Sequence, residues 1–223
     1  MSMSSLRLLQ LCSANLPTGA YAFSQGLETA TEEGWVSNFD QAYEWLDVQL
    51  MHSLAVTELP LLLRVMTALN NADHQTQQHW NDMALALRET NELRLNDVET
   101  GKALLRVLQG LEAGDIDHVF DNTMDVSFIS AFAVAACQWR IKPQDACIGY
   151  TWSWLENQVA AATKLVPLGQ TQSQQLLEQL QPQAICAVEK ANDCDDHEIG
   201  SSLPALTIAS CWHEHQYSRL FRS

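Results

Sequence analysis

The sequence predicts an all-α fold, and three observations carry that prediction. No run of alternating apolar and polar residues exceeds about four, too short for a half-buried strand. Hydrophobic residues make up 47% of the 223 positions, enough to build a real core. From Gln144 to Gln170, Ile148, Thr151, Leu155, Val159, Ala162 and Val166 recur at three- and four-residue spacing, the mark of one helical face. Pro143, tolerated at a helix start, opens this stretch, and Pro167 closes it by biasing the preceding residue out of the helical region. Glu156 is its sole charge between Asp145 and Lys164, and a helix so apolar belongs inside a bundle. The expectation is one domain spanning 1–223, of roughly eight to ten helices around a central apolar helix at about 144–166, with no significant sheet.

The remaining elements follow in order. Ser5 to Cys12 is a short apolar piece, ended by the turn chemistry of Pro17 and Gly19. Phe23 to Glu33 reads as a helix closed by Gly34, with Gly26 in its first turn suggesting close backbone packing. Asn38 or Asp40 caps the next helix, which runs to about Ser53. A new helix is expected after it, with Thr57 as N-cap and Pro60 in its first turn. Gln75 to Leu111 is a long helical segment interrupted by the charge-rich RETNELRLNDVETGK, which reads as a solvated face laced with ion pairs. Gly114 to Asp125 reads as a surface connection, and Val126 to Trp139 as an apolar helix. Beyond the central helix come two shorter helices near Gln172–Leu180 and Gln183–Ala191, an acidic loop, and a last helix from Leu203 to about Glu214. A polar tail at about 215–223 ends the chain.

Charge and cysteine content narrow the function. A net charge of -15 argues against nucleic acid and against anionic membrane surfaces. No segment reads as a secretory signal, and Val126 to Trp139 falls short of the roughly twenty residues a membrane span needs. The six cysteines show no C-x-x-C pair and read as buried free thiols of a reducing, cytoplasmic compartment.

Catalytic chemistry is not legible. Gly101-Lys102 imitates the end of a phosphate-binding loop, but the pattern needs Gly where Asn96 stands and Ser or Thr where Ala103 stands. Cys194, His197, Cys211, His213 and His215 are nearby in sequence and form a weak metal-ligand candidate set. On a helix, however, His213 and His215 point about 200° apart. His52, His74, His79 and His118 are scattered and read as surface residues. Glu28 and Glu156 each interrupt an uncharged stretch, which makes them the best functional acids, or simply solvent-facing ones.

Four collinear segments resemble the urease accessory protein UreF family: LPTGAYAFSQGLE at 16–28, RETNELR at 88–94, TKLVPLGQ at 163–170 and IGSSLPALTIASCWHEHQYSRLFRS at 199–223. The last of these, from His213 onward, is the most specific. The resemblance implies an all-helical, homodimeric protein without catalytic activity or cofactor of its own. Its implied partners are UreD (also called UreH), the GTPase UreG and apo-urease, with Ni²⁺ and GTP handled by the partner proteins. It makes Tyr217, Arg219, Leu220, Phe221 and Arg222 candidates for contact with UreD. Glu28 and Lys164, with Arg88, Glu89 and Arg94, become candidates for the GTPase-facing surface. It implies no metal ligands, so a role for Cys211, His213 or His215 in binding nickel would be particular to this chain. The alternatives are a direct regulator of the GTPase, with Arg88, Arg94 or Arg219 as a donated arginine, and a nickel metallochaperone.

Overall fold

The computed structural model describes residues 3–111, 120 and 124–222, and every regular element among them is helical. Most of the predicted 114–125 connection, with His118, lies outside the described residues. Nine helices follow one another: α1 Met3–Leu11, α2 Leu27–Glu32, α3 Phe39–Asn70, α4 His74–Ala86, α5 Asn91–Gly110, α6 Phe128–Gln138, α7 Pro143–Leu165, α8 Gln170–Asn192 and α9 Pro204–His213. Short 3₁₀ turns sit at Ala20–Ala22 and Asp196–Glu198.

The local signals explain most boundaries. Asn38 caps α3 by accepting the Gln41 N–H at 3.0 Å. Ser127 caps α6 in the same way, and Gly34 takes the left-handed φ of 74° that follows α2. The central helix α7 touches α1, α2, α3, α6 and α8, burying Cys147, Thr151, Leu155, Val159 and Ala162. Ile148, expected on that buried face, is instead 48% exposed.

Three helix boundaries differ from expectation. The first is at Thr57–Pro60, where no new helix starts. Instead α3 runs through, wound with π geometry over Leu50–Glu58, and Leu59 donates its N–H to the Leu54 carbonyl. Pro60 cannot donate to Val56, four residues back. The Gly200 N–H supplies that bond from across the fold at 3.0 Å, and the Ser201 hydroxyl and Lys190 ammonium meet the carbonyls of His52 and Met51. A neighbouring segment thus does what the missing N–H cannot. The second is Pro182, which does not divide α8: it lies on the exposed face, while Leu176, Leu177, Leu180, Ala187 and Val188 continue one buried stripe past it. Third, the long Gln75–Leu111 segment is two helices, parted where Thr90 caps α5.

Helix α3 is long and apolar enough, by length and composition, to cross a membrane, but 61% of that apolar window is buried in the bundle, as in a core helix. All six cysteines are free: Cys12, Cys147 and Cys194 are buried, Cys137 is half-buried, and Cys186 and Cys211 are exposed rather than buried as expected.

Candidate functional site: the docked C-terminal tail

The helix α2 begins one residue after Gly26, whose φ of 81° favours glycine. A Cβ there would lie 3.2 Å from Leu206 Cδ1 and 3.3 Å from Ala209 Cβ, so α9 seats directly on this turn. Glycine is needed here for close packing, although it precedes the helix rather than lying in it. After His213 the chain reverses through the bonds His215 N–H to Trp212 O and Gln216 N–H to His213 O, and the tail runs back over α2.

Glu28 fastens it. Its carboxylate, 4% exposed, accepts the backbone N–H groups of Leu220 at 2.6 Å and Phe221 at 2.8 Å. The same carboxylate lies 3.1 Å from His213 Nε2, and His213 Nδ1 lies 2.9 Å from Glu92 on α5. Arg219 closes the cluster by donating to Glu92 at 3.0 Å, while its other donors reach the carbonyls of Glu214 and Gln216. Two buried carboxylates are therefore answered by one guanidinium, one imidazole and two backbone donors, as burial of charge requires. Burial pushes the Glu92 carboxyl up from its ordinary range, against the opposing pull of His213 and Arg219.

Flanking contacts complete the seat. Phe221 is buried, with the Lys164 ammonium 5.3 Å from its ring centroid. Arg222 donates its N–H to Ala22 O at 2.7 Å and sets its guanidinium over Phe23. Outward, Tyr217 is fully exposed and Leu220 is 66% exposed. Trp212, half-exposed, packs against Trp35 with ring centroids 5.6 Å apart and the planes tilted by 52°. Glu28, Lys164 and the five tail residues, assigned by resemblance to two separate partner surfaces, thus lie together in one place.

The RETNELR residues lie elsewhere. Arg88 is mostly buried, donating to Glu58 of the π segment at 2.8 Å and to Asp97 of α5 at 2.9 Å. Burial would lower the Arg88 pKa, but the two carboxylates outweigh it and the net direction is upward. Asp97 also accepts the Phe128 N–H at 2.7 Å, which ties the triad to the start of α6. The expected solvated face is instead largely internal, with Glu92, Asn96, Asp97 and Thr100 buried. Glu89, exposed, accepts from the hydroxyls of Ser202 and Thr207 at 2.6 Å each. Arg94, 43% exposed, pairs with Asp125 at 3.2 Å, as does Lys102 at 2.7 Å. Beside the Arg88 triad a cavity of about 110 Å³ is lined by Tyr150, Asn96 and Gln158, whose buried carbonyl oxygen has no protein partner.

Gly101, the phosphate-loop imitation, is a close-packing position, where an added Cβ would come within 2.3 Å of the Val126 carbonyl. Among the described residues no group of three or more His, Cys, Asp or Glu side chains is arranged to hold a metal ion. Cys211, His215 and His197 are exposed, Cys194 is buried, and both ring nitrogens of His213 face carboxylates. Sequence reasoning did not single out Glu92, Glu58 or Asp97. Glu92 lies within RETNELR and Asp97 just beyond it, nine residues from Arg88, but Glu58 lies 30 residues before Arg88, and Glu92 meets Arg219 127 residues further on.

Comparison with known proteins agrees along the whole chain. A family model described as UreF matches residues 36–181. The chain is 49% identical to the urease accessory protein UreF of Marinomonas sp. over 218 residues, covering 98% of this chain and 94% of that one. It is 45% identical to the protein of that name from Teredinibacter turnerae, with 98% of each chain covered. For the Chromohalobacter salexigens protein the identity is 44%, over 97% and 93% of the two chains. The family model and this similarity over nearly the full length place the chain in the UreF family of urease accessory proteins.

Proposed function

We propose that the chain is a non-catalytic urease maturation factor that joins UreD (UreH) to the GTPase UreG for nickel insertion into apo-urease. In this reading it works in the cytoplasm as a homodimer. It holds no cofactor, and nickel and GTP pass through its partners. One observation supports this reading above the rest: the tail is a folded surface rather than a loose strand. Phe221 and the Glu28 carboxylate fix it, and Tyr217 and Leu220 stand outward from it. Exposed apolar side chains on a rigid seat suit partner capture, since little ordering entropy is lost on binding. Lys164 and the exposed Arg94 would then contribute to the face that meets the GTPase, setting specificity through charge.

The test is capture of UreD by the full chain, by a chain ending at His215, and by the double variant Tyr217→Ala/Leu220→Ala. Loss of binding in both altered chains, with an unchanged helical spectrum, is expected. Undiminished binding by the double variant would overturn the tail as the docking surface. The rival reading, in which this chain donates an arginine to the GTPase, has less support. Arg88, Arg94 and Arg219 are all committed to carboxylates of their own chain.

A further inference from the structure

We infer that docking of the tail is coupled to the uptake of one proton by the Glu28–His213–Glu92 cluster, so that the tail is a proton-sensitive latch. Two carboxylates flank one imidazole, with Nε2 at 3.1 Å from Glu28 and Nδ1 at 2.9 Å from Glu92. A neutral imidazole carries one N–H, so with both acids ionised one of these contacts would set a lone pair against a lone pair. Both contacts become hydrogen bonds only if the cluster holds one more proton, on the second ring nitrogen or on a carboxyl. No water can intervene at these distances, and His213 is fully buried.

The groups that face His213 are Glu28 from α2, Glu92 from α5 and, through Glu92, Arg219 of the tail and Glu214. With the added proton, the carboxylates of Glu28 and Glu92 are balanced by Arg219 and by the protonated pair. Without it, a net negative charge is left buried under the tail. When the tail lifts, Glu28 loses the Leu220 and Phe221 N–H groups and Arg219 leaves Glu92. Water can then solvate both acids, and the extra proton is no longer required. Burial raises the Glu92 carboxyl above its ordinary range, against the pull of His213 and Arg219. A carboxyl raised in the docked state stabilises that state below its undocked value, and the contribution is lost as pH rises through the docked value. Docking therefore weakens towards alkaline pH.

The test is hydrogen exchange of the peptide 216–223 in the full chain, corrected for intrinsic rates, from about pH 5 to about pH 9. Protection of the Leu220 and Phe221 amides should fall with rising pH, by up to about tenfold per pH unit where the cluster titrates. The variant Glu92→Gln should remove that slope while keeping the helical spectrum. An amide can accept from or donate to a neutral imidazole, so no added proton is needed. Nitrogen chemical shifts of His213 should show the extra proton on the ring or a ring accepting from Glu92. Protection independent of pH in the parent chain, or an equal slope in Glu92→Gln, would overturn the inference.

Discussion

The molecule holds two buried clusters of the same outline, each an arginine set among two glutamates or aspartates, and they behave differently. In the Glu58–Arg88–Asp97 triad the guanidinium is bracketed by two carboxylates, joining the π segment of α3 to α5 and, through the Phe128 N–H, to α6. In the Glu28–His213–Glu92–Arg219 cluster the arginine serves only one acid, and a histidine links the two. The first joins core helices through a group that stays charged at any pH a protein tolerates. The second joins α2 and α5 to α9 and the tail, through an imidazole and through backbone N–H groups of a segment that can lift without unfolding the bundle. Similar charges therefore serve permanence in one place and reversibility in the other.

The largest expected effect comes from breaking the triad. In Arg88→Met two buried carboxylates lose their cation, which costs about 3–5 kcal/mol. For a chain of this size the melting temperature should fall by roughly 6–20 °C. Calorimetry or a thermal melt by circular dichroism checks this. A change of under about 1 kcal/mol would mean that water in the adjoining cavity already screens the pair.

Removing the latch should be milder and local. Glu28→Gln keeps the shape of the side chain but removes the charge that attracts the Leu220 and Phe221 N–H groups, each a charge-assisted bond of about 1.5–3 kcal/mol. Because the tail can lift without unfolding the bundle, much of that loss should appear as tail release. Limited proteolysis after Arg219 or Arg222 should accelerate about tenfold or more, while the global melt moves by less than in Arg88→Met. Equal losses of global stability in the two variants would erase the distinction between permanent and reversible clusters.

The same contrast shows what could be read from sequence. Helices α6 and α7 were legible nearly to their ends, because an apolar run and, for α7, Pro143 as a start are signals local to the residues that carry them. The tail was marked as a candidate segment only by resemblance. That Glu28 holds it was not legible, since the bonds span 192 and 193 residues. Pro60 misled for a related reason. The residue truly forbids one helical bond, but the donor that repairs it, the Gly200 N–H, lies far along the chain. RETNELR read as solvated because charge implies water until a buried counter-charge is known, and Glu58 sits 30 residues before Arg88. Periodicity within a window shows which residues can form a helix, but not which charges meet inside the fold.

The smallest expected effect on stability marks the region where function can be seen apart from folding. Arg94 and Lys102 share Asp125 near the surface, with side chains 42–43% exposed. The Asp125 carboxyl is held below its ordinary range, chiefly by its hydrogen bond from Lys102, against some desolvation and with further help from Arg94. A carboxyl lowered in this way stabilises the fold above its unfolded pKa, and that contribution fades as pH falls through the folded value. Solvent screening keeps the contribution small, so Arg94→Ala should cost under about 1 kcal/mol and less still at high salt. With 43% of its side chain exposed, this guanidinium is near enough to solvent to meet another protein. If Arg94 belongs to the GTPase-facing surface, Arg94→Ala should weaken UreG capture by tenfold or so, mainly by slowing association and more strongly at low salt. The same change in Arg88 should act only through unfolding. Unchanged capture by a fully folded Arg94→Ala chain would remove RETNELR from the partner surface and leave it a purely internal motif.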